Sequence, residues 1–131
     1  MSQPNQLTAL IIDDEPDIRE LLNITLSRMN INCTCAVDVK SAIDLLSNNH
    51  YHVCLTDLNL PDGDGIDIVR WAQHNKSDLP IAVITAHGNM DTAITAMKAG
   101  AFDFISKPVD LELLRSTIKT AIKLHSAKSP N

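Results

Sequence analysis

The chain is short of what a nucleic-acid reader needs. Aromatic residues are 3% of its 131, and acidic side chains outnumber basic ones 16 to 11, for a net charge of −5. Phosphate backbones are bound through lysine and arginine, and single strands through stacked rings, so no direct nucleic-acid binding is expected. Cysteine is scarce as well. Cys33, Cys35 and Cys54 make an odd count, and the start Met1-Ser2-Gln3-Pro4-Asn5-Gln6 lacks a basic segment followed by an apolar one, which argues against a disulfide framework and for a cytoplasmic protein. Cys33 and Cys35 share one side of a strand with no second cysteine pair nearby to complete a metal site, so their expected role is burial as small apolar side chains. No apolar run approaches the roughly eighteen residues that would span a bilayer, so no membrane partner is expected. The histidines at 50, 52, 74, 87 and 125 are scattered, without the i, i+4 spacing of a helical metal site, and read mostly as surface residues.

What the chain does have is five short apolar runs alternating with longer stretches of helical periodicity. Residues 7–12 form the first run, and Pro16 suits the opening turn of a helix whose Ile18, Leu21, Leu22, Leu26 and Met29 share one face. Residues 32–37 read as a second strand, followed by a helix carrying Val39, Ala42, Ile43 and Leu46. Residues 53–57 form the third, and the turn Leu60-Pro61-Asp62-Gly63-Asp64-Gly65 separates it from a helix with Ile66, Val69 and Ala72. Residues 81–85 and 102–106 are the fourth and fifth strands. Between them Met90, Ala93, Ile94 and Met97 repeat at helical spacing until Gly100 stops the helix; the methionine stripe is expected to be core, and Trp71 to pack between helices. A last helix, capped by Asp110, runs through Leu111, Leu114, Ile118 and Ile122 and ends near His125. The expected fold class is α/β: a five-stranded parallel sheet in the flavodoxin-like order 2-1-3-4-5, with five helices on both faces. One domain covers 7–125, with 1–6 a disordered lead and 126–131 the start of a linker.

The strand ends carry the chemistry. Asp13-Asp14, Asp57, Thr85 and Lys107 each follow an apolar run, and in an open parallel sheet such ends converge on one crevice. Crowded carboxylates need a cation, and a hard divalent ion such as Mg2+ takes oxygen ligands together with waters and a phosphate. Asp14 and Asp57 are the candidate direct ligands, with Asp13 acting through a bound water. Lys107 supplies a positive charge for phosphoryl oxygens and Thr85 a short donor. An aspartate can attack a phosphoryl group in line, and Asp57 is the expected nucleophile. A calcium-loop reading of Asp57-Leu58-Asn59 fails, because Pro61 stands at a ligand position and Ile68 replaces the bidentate glutamate.

These residues, over most of the chain, resemble the receiver domains of bacterial two-component response regulators, a CheY-like (βα)5 fold. Asp13-Asp14 resembles the family's acidic pair, Asp57 its phosphoacceptor, Thr85 its switch hydroxyl, Lys107 its phosphoryl charge partner and Phe104 its switch aromatic. The resemblance implies a cis bond between Lys107 and Pro108, and makes the Asn59 backbone carbonyl a metal ligand. It places Asn59 and His87, each two residues beyond a site residue, where they would tune dephosphorylation. Within the family, Thr85-Ala86-His87-Gly88 with Ala101-Phe102-Asp103-Phe104 is similar to NtrC-type activators. Asp13-Asp14-Glu15-Pro16 with Leu58-Asn59-Leu60-Pro61-Asp62-Gly63 is similar to regulators of type IV pili. Such proteins continue into an AAA+ output domain acting on sigma-54 polymerase and a DNA-binding domain.

The implied function is phosphorylation of Asp57 by a sensor histidine kinase with Mg2+, switching the fourth helix, residues 89–99 between hinges at Gly88 and Gly100. Pairing of two copies through the fourth and fifth helices is also implied. Phe104 departs from the tyrosine that many members carry, so any switching through it rests on ring packing. The domain accepts a phosphoryl group and promotes its own phosphorylation and dephosphorylation; it is not expected to be an enzyme. Two alternatives remain. A Mg2+-dependent aspartyl phosphatase usually has a second aspartate two residues after its nucleophile, where Asn59 stands and cannot serve as a general acid. A pseudo-receiver, a pure interaction module, would not need the complete acidic pair, Thr85 and Lys107.

Overall fold

The structure, a computed structural model, describes residues 6–86 and 88–128, with side chains up to residue 124. In chain order the elements are β1 (Leu7–Ile12), α1 (Pro16–Ser27), β2 (Ile31–Ala36), α2 (Val39–Asn48) and β3 (Val53–Thr56). A two-residue hairpin, β4 (Asn59–Leu60) and β5 (Gly63–Asp64), leads into α3 (Gly65–Asn75). β6 (Ile81–Thr85), α4 (Met90–Ala99), β7 (Asp103–Ser106) and α5 (Leu111–Lys128) complete the order. The main sheet is parallel with strand order β2-β1-β3-β6-β7, which is 2-1-3-4-5 when only its own strands are counted.

The central strands β3 and β6 are buried along their whole length, and β1 from Ala9 onward, because helices cover both faces. Ala42 and Leu46 of α2, Ile66, Ile68, Val69 and Ala72 of α3 and Ala96 of α4 pack on one face. Leu22 and Leu26 of α1 and Leu114, Ile118 and Ala121 of α5 pack on the other. Each fully buried leucine or isoleucine in these layers contributes about 1.5–3 kcal/mol. Helix starts follow local chemistry: Pro16 opens α1, while the side chains of Asp38, Asp64 and Asn89 accept backbone N–H groups at the starts of α2, α3 and α4. Gly100 ends α4 with φ of 117°, a conformation that disfavours any side chain.

Several expectations need correction. The second strand begins one residue early, at Ile31, the third stops at Thr56, and the fifth starts at Asp103. The turn after Asp57 holds the antiparallel pair Asn59–Leu60 and Gly63–Asp64. α5 continues to Lys128, three residues beyond His125. Gln6, assigned to the lead, reaches Asn30 with its amide donating to the carbonyl at 3.2 Å; residues 1–5 and 129–131 lie outside the described residues. Met90 and Met97 are 77% and 46% exposed, so the methionine stripe is surface, and only Ala96 of α4 is fully buried. Cys35 is exposed because β2 is an edge strand with α1 and α2 covering it incompletely, although Cys33 packs against the α1–α5 layer. His52 is half-buried: the Thr8 N–H donates to its Nδ1 at 3.1 Å, joining the starts of β1 and β3. Trp71 packs on the α2–α4 layer as expected.

Candidate functional site

The register aligns the carboxyl ends of the strands. Ile12 pairs with both Ala36 and Thr56, Thr56 with Val83, and Thr85 with Ser106, so Asp13, Asp57, Thr85 and Lys107 all emerge at one edge of the sheet. Backbone bonds extend this alignment by a residue: the Asp13 N–H donates to Ala36 O at 3.1 Å, the Asp57 N–H to Ile12 O at 2.9 Å, and the Lys107 N–H to Thr85 O at 3.0 Å.

Lys107 stands at the centre. Its ammonium donates to Asp13 Oδ2 at 3.0 Å, Asp57 Oδ2 at 3.0 Å and Glu15 Oε1 at 2.7 Å. Asp13 and Asp57 are buried and Asp14 is exposed, and one carboxylate oxygen from each of the three lies within 4.8 Å of the others. That is the spacing of oxygens able to share one cation, and the donor set is all hard oxygen. Burial raises Asp13 above the usual carboxylate value, and the hydrogen bonds from the Glu15 amide and from Lys107 offset this only partly. Burial alone would lower Lys107, but its contacts with Glu15, Asp13 and Asp57 outweigh it and push the lysine upward. Among the described residues three carboxylates share this one ammonium, and a divalent cation would offset the charge that remains.

The connection after Asp57 is held from several sides. Asp57 Oδ1 accepts from the Leu58 amide at 2.6 Å, leaving Oδ2 to Lys107. The Gly65 N–H closes onto Leu58 O at 2.8 Å, and a Cβ on Gly65 would collide with the Asp57 carbonyl oxygen. At the hairpin tip, Asp62 spreads its carboxylate over the first amides of α2, accepting from Val39 at 2.7 Å and Lys40 at 3.0 Å. Asn59, whose carbonyl was expected to face a metal, is exposed in this hairpin. Thr85 is fully buried at the end of β6, one residue further along its strand than the position level with Asp57. Phe104 is half-buried on β7, its ring so close over Gly88 that a Cβ there would lie 2.9 Å from Cε1. The Lys107–Pro108 bond is cis. His87 lies outside the described residues.

The structure therefore brings together Asp13, Asp14, Asp57 and Lys107, with Thr85 at the same sheet edge. Sequence reasoning missed two residues. Glu15 was read only as part of a motif, although a third consecutive acid beside a candidate metal-binding pair signals charge at the site. Asp62 was read as a turn residue; its partners lie more than twenty residues upstream, and nothing local could reveal them.

An acidic pocket at the carboxyl edge of a doubly wound parallel sheet, with a lysine across it, is an arrangement able to hold a hard cation beside an anionic group. Residues 9–119 match the response regulator receiver domain family, and the chain belongs to it. It is 53% identical over 121 residues to the response regulator protein PilR of Pseudomonas aeruginosa, and 32% identical over 119 residues to the regulatory protein AtoC of Escherichia coli. These alignments cover 92% and 91% of this chain but 27% and 26% of those proteins, so the chain spans about a quarter of the curated relatives it matches. Among solved structures, the beryllofluoride-activated NtrC4 receiver domain dimer superposes with a TM-score of 0.86 at 32% identity, covering 90% of this chain and 98% of that one. Among the described residues, no helix is long and apolar enough to cross a membrane.

Proposed function

We propose that the domain accepts a phosphoryl group on Asp57 from the phosphohistidine of a sensor histidine kinase, and that this changes the surface formed by α4 and its neighbours. The observation that carries this reading is the Asp57–Lys107 contact of 3.0 Å beside Asp13 and Asp14, which joins a nucleophile, a charge partner and metal-binding oxygens in one pocket. Asp14, Asp57 and the Asn59 carbonyl would hold Mg2+, with Asp13 contributing through a water. A bound Mg2+ offsets the charge of the carboxylates and of the transferring oxygens. Asp57 presents a carboxylate oxygen for in-line attack on phosphorus; the P–N bond to the donor imidazole breaks, and the histidine keeps that electron pair. Lys107 then donates to a phosphoryl oxygen and Thr85 to another, while the Phe104 ring repacks in the space beside Gly88.

α4 suits a switching element because it is held by little: one fully buried side chain and an exposed apolar face of Met90, Ile94 and Met97. Two states of such a helix need differ by only a few kcal/mol, within reach of one phosphoryl group. That face, with Leu113 exposed on α5, is a candidate pairing surface for two copies, a reading supported by the dimeric NtrC4 receiver. By the resemblance to NtrC-type activators, and with relatives named as response regulator and regulatory proteins, the domain would regulate an AAA+ output domain acting with sigma-54 polymerase in a cytoplasmic transcription activator. It works as a regulated acceptor in place of a turnover enzyme, and Asn59 and His87 set the phosphoryl lifetime.

Intact mass after incubation with acetyl phosphate and Mg2+ tests the central reading. The wild type gains one phosphoryl group and Asp57→Asn gains none. No gain in the wild type, or equal gain in both, overturns it.

A further inference from the structure

The main sheet has two edges, and they are built differently. β7 is four residues long, carries Asp103 and runs into Lys107 and Pro108, the charge and proline that keep a free strand edge from pairing. β2 has neither. Its six residues, Ile31-Asn32-Cys33-Thr34-Cys35-Ala36, hold no charge, no proline and no glycine, and among the described residues β1 is the only strand paired with it.

The register shows which backbone groups face outward. The Asp13 N–H donates to Ala36 O at 3.1 Å, so Ala36, and by alternation Thr34 and Asn32, turn N–H and C=O toward β1. Ile31, Cys33 and Cys35 present theirs to the free edge. Neither covering helix closes that edge off: Asn32 and Thr34 are exposed on the α2 side of the strand, and Cys35 on the α1 side. The Cys33 thiol leans over the edge, its Sγ donating weakly to the outward Ile31 carbonyl at 3.8 Å.

We propose that the β2 edge is a pairing surface for a second copy of this chain, two β2 strands meeting antiparallel about a two-fold axis at Cys33, with a Cys33–Cys33 disulfide locking the pair under oxidising conditions. In that register Ile31 of each copy lies opposite Cys35 of the other, so every outward backbone group of β2 finds a partner. A second copy fits because the strand is neutral and no like charges meet across the axis. The two Cys33 Cα atoms stand about 5.5 Å apart as a hydrogen-bonded pair, inside the range of about 4.4–6.8 Å that a disulfide spans. One short strand a side buries far less than the roughly 1,600 Å² of a stable interface, so the reduced pair is weak and the covalent bond decides its lifetime. That bond forms by exchange with oxidised glutathione. One Cys33 thiolate attacks it and releases a glutathione thiolate; Cys33 of the second copy attacks the mixed disulfide and releases the other, and the two thiol protons end on the two glutathiones.

The test incubates the chain with oxidised glutathione and measures covalent dimer by intact mass without reductant, for the wild type, Cys33→Ser, Cys35→Ser and a double variant with Asn32→Lys and Thr34→Lys. Cys54 is fully buried and is left in place. In the proposed register position 32 of each copy faces position 34 of the other, so the double variant sets lysine against lysine; both positions are exposed, and urea unfolding checks that the fold is kept. The expected result is wild-type dimer yield from Cys35→Ser, none from Cys33→Ser, and about fivefold less from the double variant. Indiscriminate oxidation gives the opposite order. Cys35 is the exposed thiol, while burial pushes the Cys33 thiol up to about 12 and makes it slow to react unless a partner is held against it. Dimer from Cys33→Ser at wild-type yield overturns the proposal, as does undiminished dimer from the double variant, which would place the contact on another face. A wild type that stays monomeric overturns it as well.

Discussion

α3 and α4 are of similar length, follow neighbouring strands and cover the same face of the sheet, yet they are held very differently. α3 buries Gly65, Ile66, Ile68, Val69 and Ala72, and its start is tied to Asp57 through the close approach of Gly65. α4 buries only Ala96 and turns Met90, Ile94 and Met97 outward. The contrast divides labour within one layer. The side carrying Asp57, the proposed nucleophile, is densely packed, and the side carrying Thr85 is packed lightly enough for the proposed shift of its helix. A phosphoryl group can redistribute only states already close in free energy, and few buried contacts are what bring them close.

The sharpest test of that contrast is a matched pair of truncations. Ile68→Ala removes a fully buried side chain and should cost about 3–4 kcal/mol in urea unfolding, whereas Ile94→Ala, at 46% exposure, should cost about 0.5 kcal/mol. Equal losses would erase the distinction. Gly65→Ala should cost about 2–3 kcal/mol, because its methyl group meets the Asp57 carbonyl and backbone must move. It should also lower the acetyl phosphate reaction, and a stable, fully reactive Gly65→Ala protein would show that this corner is softer than its geometry indicates.

The smallest effect concerns pH. Lys107 is raised above its ordinary value of 10.5, so the folded state holds its proton more tightly than the unfolded chain does. Its contribution to stability is complete below that value and is lost as pH rises through the higher folded-state value. Wild-type stability should fall along this alkaline limb, and Lys107→Met should show a shallower fall, read from unfolding midpoints between pH 9 and about 11.5. Identical alkaline slopes would mean that the three carboxylates do not hold the lysine as the distances suggest.

Much of the fold was legible because its signals are local and repeated. β1 and β6 have the expected bounds, and Pro16, Asp110 and Gly100 stand at helix ends as their backbone preferences require. That the candidate site residues would gather was legible for a related reason: Asp13, Asp57, Thr85 and Lys107 each end an apolar run, and parallel strands share a direction. The methionine stripe of α4 was misread because helical periodicity shows that a helix has an apolar face but not which way that face points. Cys35 was misplaced because its burial depends on β2 lying at the sheet edge. The bonds from Asp62 to α2 and from Glu15 to Lys107 were missed because both span long stretches of chain.

The amino-acid order by itself determined the alternation of strands and helices, the placement of acids and a lysine at strand ends, and hence the family and the pocket. These follow from neighbours along the chain, through hydrophobic periodicity and the φ preferences of proline and glycine. Tertiary structure alone decided how tightly each part is held: that Lys107 shares its three donors with Asp13, Glu15 and Asp57, that α3 is locked and α4 is loose. Those are outcomes of packing and of competition for a limited number of donors, and they exist only once distant segments meet.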